Sequence, residues 1–406
     1  MSQQGPIIVV SGGLSTALSA ALKDAKLFSV IDTDWPEAAC AVEELQPAAV
    51  VVSGAADLRF ATLASQIGRL SPYVPLIVID PPTSLPANAL PLALVDGSLE
   101  RLSARLRAAL RIRALHAAVL RRIGDDAAAL RALTETDPIQ DASVLLVGRA
   151  GHFPGLSVAL GERIGVVGAF SIEAAAKHLN TRDLDGIVLG EGFSARVVDA
   201  FLTMLAEDAR FRVLPVLLTG AGGNVAGDLP NLEPISGALD RIAANSLPLI
   251  RQHAFAARLS RILRAIDARG LLDARTGLLT PQAFAHDFAR AIAQARSGGG
   301  LSVARFSFRR DDERARLDAA RIISRLMRPT DFGTLERDGS IVVAFSDADL
   351  RSAHMIARRL CSVMKHTLHG TREQQAEPDV SAATLLPTDS PASILARLGE
   401  ARRAAS

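Results

Sequence analysis

The chain has 406 residues, 49% hydrophobic and 22% charged, a globular balance with length for about two to four domains. Lys and Arg total 45 against 43 Asp and Glu, and the net charge of +2 gives no general attraction to nucleic acid or to a membrane surface. No apolar run reaches the roughly 18 residues of a membrane span. The chain enters PIIVV at once, which excludes a signal-peptide pattern, and Cys40 and Cys361 show no metal-ligand spacing and read as buried thiols of a reducing cytoplasm.

Residues 6–95 alternate short apolar runs with helical patterns. IIVV (7–10), VVVS (50–53), PLIVI (75–79) and LPLALV (90–95) are predicted as buried parallel strands, with LSTALSAALKDA, WPEAACAVEEL and LRFATLASQIGRL as the helices between them. This alternation argues for a doubly wound α/β sheet. Residues 98–132 read as one long helical stretch whose Arg stripe is a solvated face. The pattern then restarts. SVLLV (143–147), GIVLG (186–190) and VLPVLLT (213–219) are predicted strands, with helices EAAAKHL and ARVVDAFLTMLAED between them. A second copy of the first unit is thus expected. GAGGNVAGDLPNL (220–232) lacks the Lys-Ser/Thr ending of a phosphate loop and reads as a flexible surface loop, before a helix-rich stretch over 239–269.

The last third centres on RPTDFGTLERDGSIVVAFSDADLRSAHMIARRL (328–360). A helix end (IISRLM), a short strand, a turn at Arg337-Asp338-Gly339-Ser340, the strand IVVAF and a helix from about Asp349 are predicted, because Asp-Gly between apolar runs is a strong hairpin signal. With DARTGLLTPQAFAHDFARAI (273–292) before it, this stretch resembles the GGDEF domain of diguanylate cyclases. Asp273, Thr276, Gly277, Leu278 and Phe284 fall in register with that family's opening motif. Arg337, Asp338, Gly339, Ser340 and Ile341 stand at the signature positions, so RDGSI replaces Gly-Gly-Asp/Glu-Glu-Phe.

The order of the three units resembles response regulators of the PleD/PopA-like group, with two receiver domains and a terminal GGDEF domain. The resemblance implies two flavodoxin-like, doubly wound parallel sheets followed by a GGDEF-type α+β domain with a mixed central sheet. The expected divisions are a degenerate receiver over 5–115, a helical linker over 116–141, a second degenerate receiver over 142–250, a linker over 251–270 and a degenerate GGDEF domain over 271–406.

A receiver takes phosphate on a carboxylate at the end of its third strand, beside an acidic pair that holds Mg²⁺ through hard oxygen ligands. Here Ser53 and Gly190 stand at the phosphoacceptor positions. The first strands end in Ser11-Gly12-Gly13 and Gly148-Arg149, Asp80 replaces the fourth-strand hydroxyl that Thr219 keeps, and no Lys falls near either fifth strand. Asp57 and Glu191 are off register. Dimerisation and docking modules are the favoured reading.

Cyclase chemistry needs carboxylates to hold the metal ions that bridge a triphosphate. In LSVARFSFRR (301–310), Arg305 and Ser307 take the family's acidic positions, while Gly339 and Ser340 replace the acids of the signature. The guanine-binding segment is cut to DDERARLDAA, where Asp311 and Asp312 read as the solvated start of a helix. No catalytic residue and no metal site are therefore assigned. One family feature survives: Arg328-Pro329-Thr330-Asp331 stands five residues before the signature, in the register of the inhibitory Arg-x-x-Asp site for cyclic di-GMP, and Arg359 falls where a second Arg is contributed. Arg forks suit guanine O6/N7 edges and phosphates, and a carboxylate suits guanine N1–H and N2–H₂. The plainer reading is a surface Arg–Asp pair closing a helix.

The leading expectation is an inactive, cytoplasmic GGDEF-family signalling protein, polar by analogy. It would act as a cyclic di-GMP effector or scaffold, dimerise through its receiver-like domains and need no cofactor. A nucleotide-independent scaffold is the alternative, and an active diguanylate cyclase is the third reading.

Overall fold

The computed structural model describes residues 5–405 except 12–14, 25–27, 54–57, 82–84, 95–98, 125, 135, 150, 220–228, 268–269, 297, 309–312 and 368–377. The chain divides into two compact units, one of residues 6–116 and 126–260, the other of 1–5, 117–125 and 261–406.

The first unit begins with β1 (Ile7–Ser11), α1 (Ser15–Asp24), β2 (Val30–Thr33), α2 (Ala38–Leu45), β3 (Ala49–Ser53), α3 (Arg59–Gly68), β4 (Leu76–Ile79), β5 (Ala89–Leu92) and α4 (Leu99–Ile123). It continues through α5 (Ala127–Thr134), a 3-10 turn at Pro138–Asp141, β6 (Ser143–Val147), α6 (His152–Gly161), β7 (Gly165–Ala169), α7 (Ile172–Thr181), β8 (Gly186–Leu189), α8 (Ala195–Glu207), β9 (Val216–Leu218), β10 (Leu232–Pro234) and α9 (Leu239–Asp267). The strands form two parallel sheets, β2-β1-β3-β4-β5 and β7-β6-β8-β9-β10. Each has the doubly wound order 2-1-3-4-5, which reverses beside its first strand. Strands such as β1 are apolar up to their last residue because both faces are covered: Ile7 and Val9 join one core, Ile8 and Val10 another. A single hydrophobic cluster runs through both sheets, uniting Val9, Val51 and Ile77 with Val144, Leu146 and Val188, and drawing in Leu102 and Leu106 of α4 and Leu249 and Ile250 of α9.

Several expectations are corrected. The stretch 98–132 is not one helix. Gly124, at φ +64°, ends α4, and α5 starts again at Ala127. Its arginines are only partly a solvated stripe: Arg107 and Arg111 are exposed, but several others are not. Arg105 is fully buried, donating to the carbonyls of Pro91, Pro230 and Leu232 and to the Glu233 carboxylate, and Arg101 reaches Leu232 O and the same carboxylate. Strands β2 and β7 went unread because, as sheet edges, they are only half-buried and carry Asp32 or glycines in place of an apolar run. Cys361 is buried, but Cys40 is exposed, donating to Glu44 Oε1 at 3.2 Å from the side of α2 opposite Ala38 and Val42.

The second unit holds the last turns of α4 and of α9, then α10 (Pro281–Arg296), β11 (Leu301–Ser307), α11 (Glu313–Leu326), β12 (Phe332–Leu335), β13 (Ile341–Ser346), α12 (Leu350–Thr367), β14 (Asp379–Thr384) and α13 (Pro391–Ala405). Its sheet, β12-β13-β11-β14, is antiparallel at every ladder. The mixed sheet expected here is reduced to one isolated parallel bridge, Leu279 to Thr334, because Asp273 and Gly277 curl the preceding segment into a turn before a strand can run on. One face of the sheet buries Phe306, Ile341, Val343 and Phe345 against α11 and α12. The other buries Val303, Phe332, Val342 and Ala344 against α10 and α13.

The tail of α4 is tied to this unit. Arg122 pairs with Asp267 and with the buried Asp287, Gln294 Nε2 donates to Ala117 O at 3.0 Å, and Val119 is fully buried. No helix among the described residues is long and apolar enough to cross a membrane.

Candidate functional site

The β12–β13 hairpin is held by its own tip. Glu336 N donates to Ser340 O at 2.8 Å and Gly339 N to Glu336 O at 3.0 Å, with Gly339 at φ +80°, a conformation that favours glycine. Asp338 Oδ1 accepts from both the N–H and the hydroxyl of Ser340, at 2.9 and 2.6 Å. The only carboxylate within RDGSI is thus spent on its own turn, while Arg337 is exposed and Ile341 is core. Arg305 stands 3.9 Å from the other oxygen of Asp338. Along β11, Ala304 and Phe306 join the core under α11 and α12, so alternation turns Arg305 and Ser307 to the face under α10 and α13. Among the described residues no three His, Cys, Asp or Glu side chains gather as metal ligands. Asp311 and Asp312 lie outside the described residues.

The DARTGLL segment serves structure. Asp273 Oδ1 accepts from the N–H of Arg275 and of Thr276, and α11 grips the loop through Arg321 Nε to Arg275 O and Ser324 Oγ to Gly277 O, both 2.8 Å. Phe284 is a core residue of α10.

The Arg328–Asp331 turn follows α11. Asp331 N donates to Arg328 O at 3.0 Å, and the turn is stitched to the end of β13: Ser346 N donates to Asp331 Oδ1 at 3.1 Å and Ser346 Oγ to Thr330 O at 2.8 Å. Arg328 is exposed, whereas Asp331 is 7% exposed. Burial pushes the Asp331 carboxyl up to about 7, against the opposing charges of Arg328 and Arg121 and the Ser346 N–H. Arg359 is exposed on α12, whose other face, with Ala357, Leu360 and Cys361, joins α11 in one core. Sequence reading missed Arg121. Its guanidinium donates to Gln294 Oε1 at 3.0 Å and Thr330 O at 3.1 Å and lies 4.8 Å over the Phe332 ring. Nothing in the sequence distinguishes this arginine from its exposed neighbours on α4.

In the doubly wound sheets, Ser11 and Ser53 are direct partners at the ends of β1 and β3, where the strand order reverses. Gly190 follows β8, donating to Val147 O at 2.7 Å, and Thr219 Oγ1 donates to Leu189 O at 3.3 Å. Asp80, at φ +45°, caps a turn by accepting from Leu94 N. Glu191 lies 3.5 Å from His152. Gly12, Gly13, Asp57 and residues 220–228 of the glycine-rich loop lie outside the described residues.

No family model matches this sequence, and no curated protein matches it. Similar solved structures include the GGDEF domain of DgcB from Caulobacter crescentus in complex with c-di-GMP, at 19% identity and a TM-score of 0.27, covering 33% of this chain and 91% of that one. Another is the GGDEF domain of FimX from Pseudomonas aeruginosa, at 16% identity and a TM-score of 0.27, covering 32% and 90%. A third is the diguanylate cyclase SiaD from Pseudomonas aeruginosa in complex with its activator SiaC, at 15% identity and a TM-score of 0.30, covering 36% and 65%.

Proposed function

We propose that this protein is a catalytically inactive, GGDEF-type signalling protein that takes cyclic di-GMP at Arg328, Asp331 and Arg359, after two receiver-type folds that serve as homodimerisation and docking modules. The observation that carries the reading is a contrast. The hairpin tip offers Gly339 and Ser340 where cyclase chemistry needs metal-binding carboxylates, Arg337 replaces a glycine, and Asp338 is consumed by its turn. The Arg328–Asp331 turn is held by its own hydrogen bonds and by Ser346, and Arg359 is exposed on α12. Arginine forks there would bind phosphate or guanine O6 and N7, and Asp331 the guanine N1–H and N2–H₂.

Calorimetric titration with cyclic di-GMP, with GTP as the control ligand, tests this. Saturable binding at about two nucleotides per site, abolished in Arg328→Ala, is expected; absence of heat at high ligand concentration would discard it. One observation favours a second reading, the nucleotide-independent scaffold: Asp331 is buried and already bonded to Ser346. On that reading, Arg328→Ala/Arg359→Ala leaves partner binding and phenotype intact.

A further inference from the structure

Asp331, the one carboxylate of the proposed nucleotide site, is closed off, and the group beside it comes from outside the hairpin and its helices. Arg121, on the tail of α4, is 5% exposed and touches the residues on both sides of Asp331: its Nη2 donates to Thr330 O at 3.1 Å and its guanidinium covers the Phe332 ring at 4.8 Å. Gln294 on α10 holds its Nη1 at 3.0 Å and, through its own amide, ties Ala117 one turn earlier. Arg122 alongside is fastened to Asp267 and Asp287. The docking is incomplete in one respect: Arg121 Nε is buried without an acceptor, which penalises the closed arrangement and eases its opening. A guanine edge approaching Asp331 would bring N–H donors to the carboxylate that the Arg121 charge now faces.

From this we propose that Arg121 is an autoinhibitory plug, which keeps Asp331 from solvent and must withdraw before a guanine nucleotide can reach that carboxylate. The nucleotide half of this proposal rests on the reading of Asp331 as a ligand group; the plug itself does not.

Two measurements on the full-length chain separate them. In a Cys40→Ser/Cys361→Ala background, the cysteine of Asp331→Cys is alkylated with iodoacetamide, with Arg121 intact and with Arg121→Ala. At least ten-fold faster alkylation without the guanidinium is expected; equal rates overturn the plug. Arg121→Met, which keeps the apolar stem, replaces Arg121→Ala if circular dichroism shows the alanine chain unfolded. In the chain with native Asp331, Arg121→Met is then titrated with cyclic di-GMP and is expected to bind at least ten-fold tighter than the parent. Unchanged or weaker binding overturns the competition. If neither chain binds cyclic di-GMP, the effector reading falls, while the alkylation rates still decide whether Arg121 closes the site.

Discussion

Arg105 and Glu233 meet at 3.0 Å with 0% and 2% of their side chains exposed. A buried ion pair of this kind is tolerable only when the remaining donors and acceptors are satisfied, and they are: Arg105 gives three further bonds to main-chain carbonyls, and Glu233 Oε1 accepts from Ala93 N at 2.6 Å. Burial pushes the Glu233 carboxyl up, with Arg105 and Arg101 opposing it. Removing one partner leaves a charge with no water to replace it. Glu233→Ala is therefore expected to cost about 3–5 kcal/mol in urea unfolding, whereas Arg105→Met/Glu233→Leu costs less than the single change. A loss within about 1 kcal/mol for Glu233→Ala would show that water reaches the cluster.

Asp331 carries a pH dependence with a defined sign. In the folded chain it holds its proton up to about pH 7, facing Arg328, Arg121 and the Ser346 N–H, while an unfolded Asp releases it near 4. Between these values the folded state binds more protons, so this group's contribution to stability falls as pH rises from about 4 to about 7. Asp331→Asn keeps an Oδ1 to accept from Ser346 and loses the titration. The melting temperature of Asp331→Asn should therefore gain on the parent across that window and hold its lead above it. A constant difference from pH 4 to 8 would refute this.

His116 works in the opposite direction. Its Nδ1 accepts from Tyr73 N at 2.9 Å, so the ring must be neutral there, and burial, with the Arg113 charge adding to it, pushes it down to about 4. Between about pH 4 and its ordinary 6.5 the unfolded state binds the extra proton, and stability is lost as pH falls through that range. His116→Leu should unfold more readily at pH 8 for want of the Tyr73 acceptor, but with a flatter acid limb. An unchanged acid limb in thermal melts would assign the dependence to other groups.

The hairpin makes a prediction about activity. Incubated with GTP and Mg²⁺ or Mn²⁺, the purified protein should form no cyclic di-GMP, and Ser340→Glu alone should not create the activity, since Arg305 stands beside the same turn. Product detected by mass spectrometry from either chain would reverse the assignment of the hairpin as inactive.

Gly339 is expected to matter for folding alone. At φ +80° a valine is strained, so Gly339→Val should destabilise the second unit by about 1–2 kcal/mol in chemical unfolding. Arg316, whose side chain would meet the added Cβ at 2.9 Å, can swing aside. A neutral result would mean that the turn has switched type.

What the residues disclose and what they hide follows from burial. The runs at 7–10, 50–53 and 143–147 were legible because strands covered on both faces are apolar but for a serine at the end of a run, Ser53 or Ser143. The hairpin was legible from Asp338-Gly339, because few residues other than glycine adopt the required φ. The half-buried edges β2 and β7 lack the continuous run, and a four-residue pattern such as VIDT gives too short a period to read. The candidate site was legible at Arg328, Asp331 and Arg359 only through a motif. The burial of Asp331 and the presence of Arg121 depend on partners far away in the chain, and an arginine on a helix carries no mark in sequence that says whether carbonyls or water will meet it.

The exposed thiol on α2 has a practical side. Cys361 is shut in the core, so Cys40 is the cysteine a maleimide dye meets first. Glu44, which accepts its S–H, and the Glu43 and Glu37 charges push that thiol up, so its thiolate is scarce at neutral pH. Labelling would therefore be slow at pH 7 and brisk nearer pH 9, and a fluorophore could be installed at one defined point of the unaltered chain.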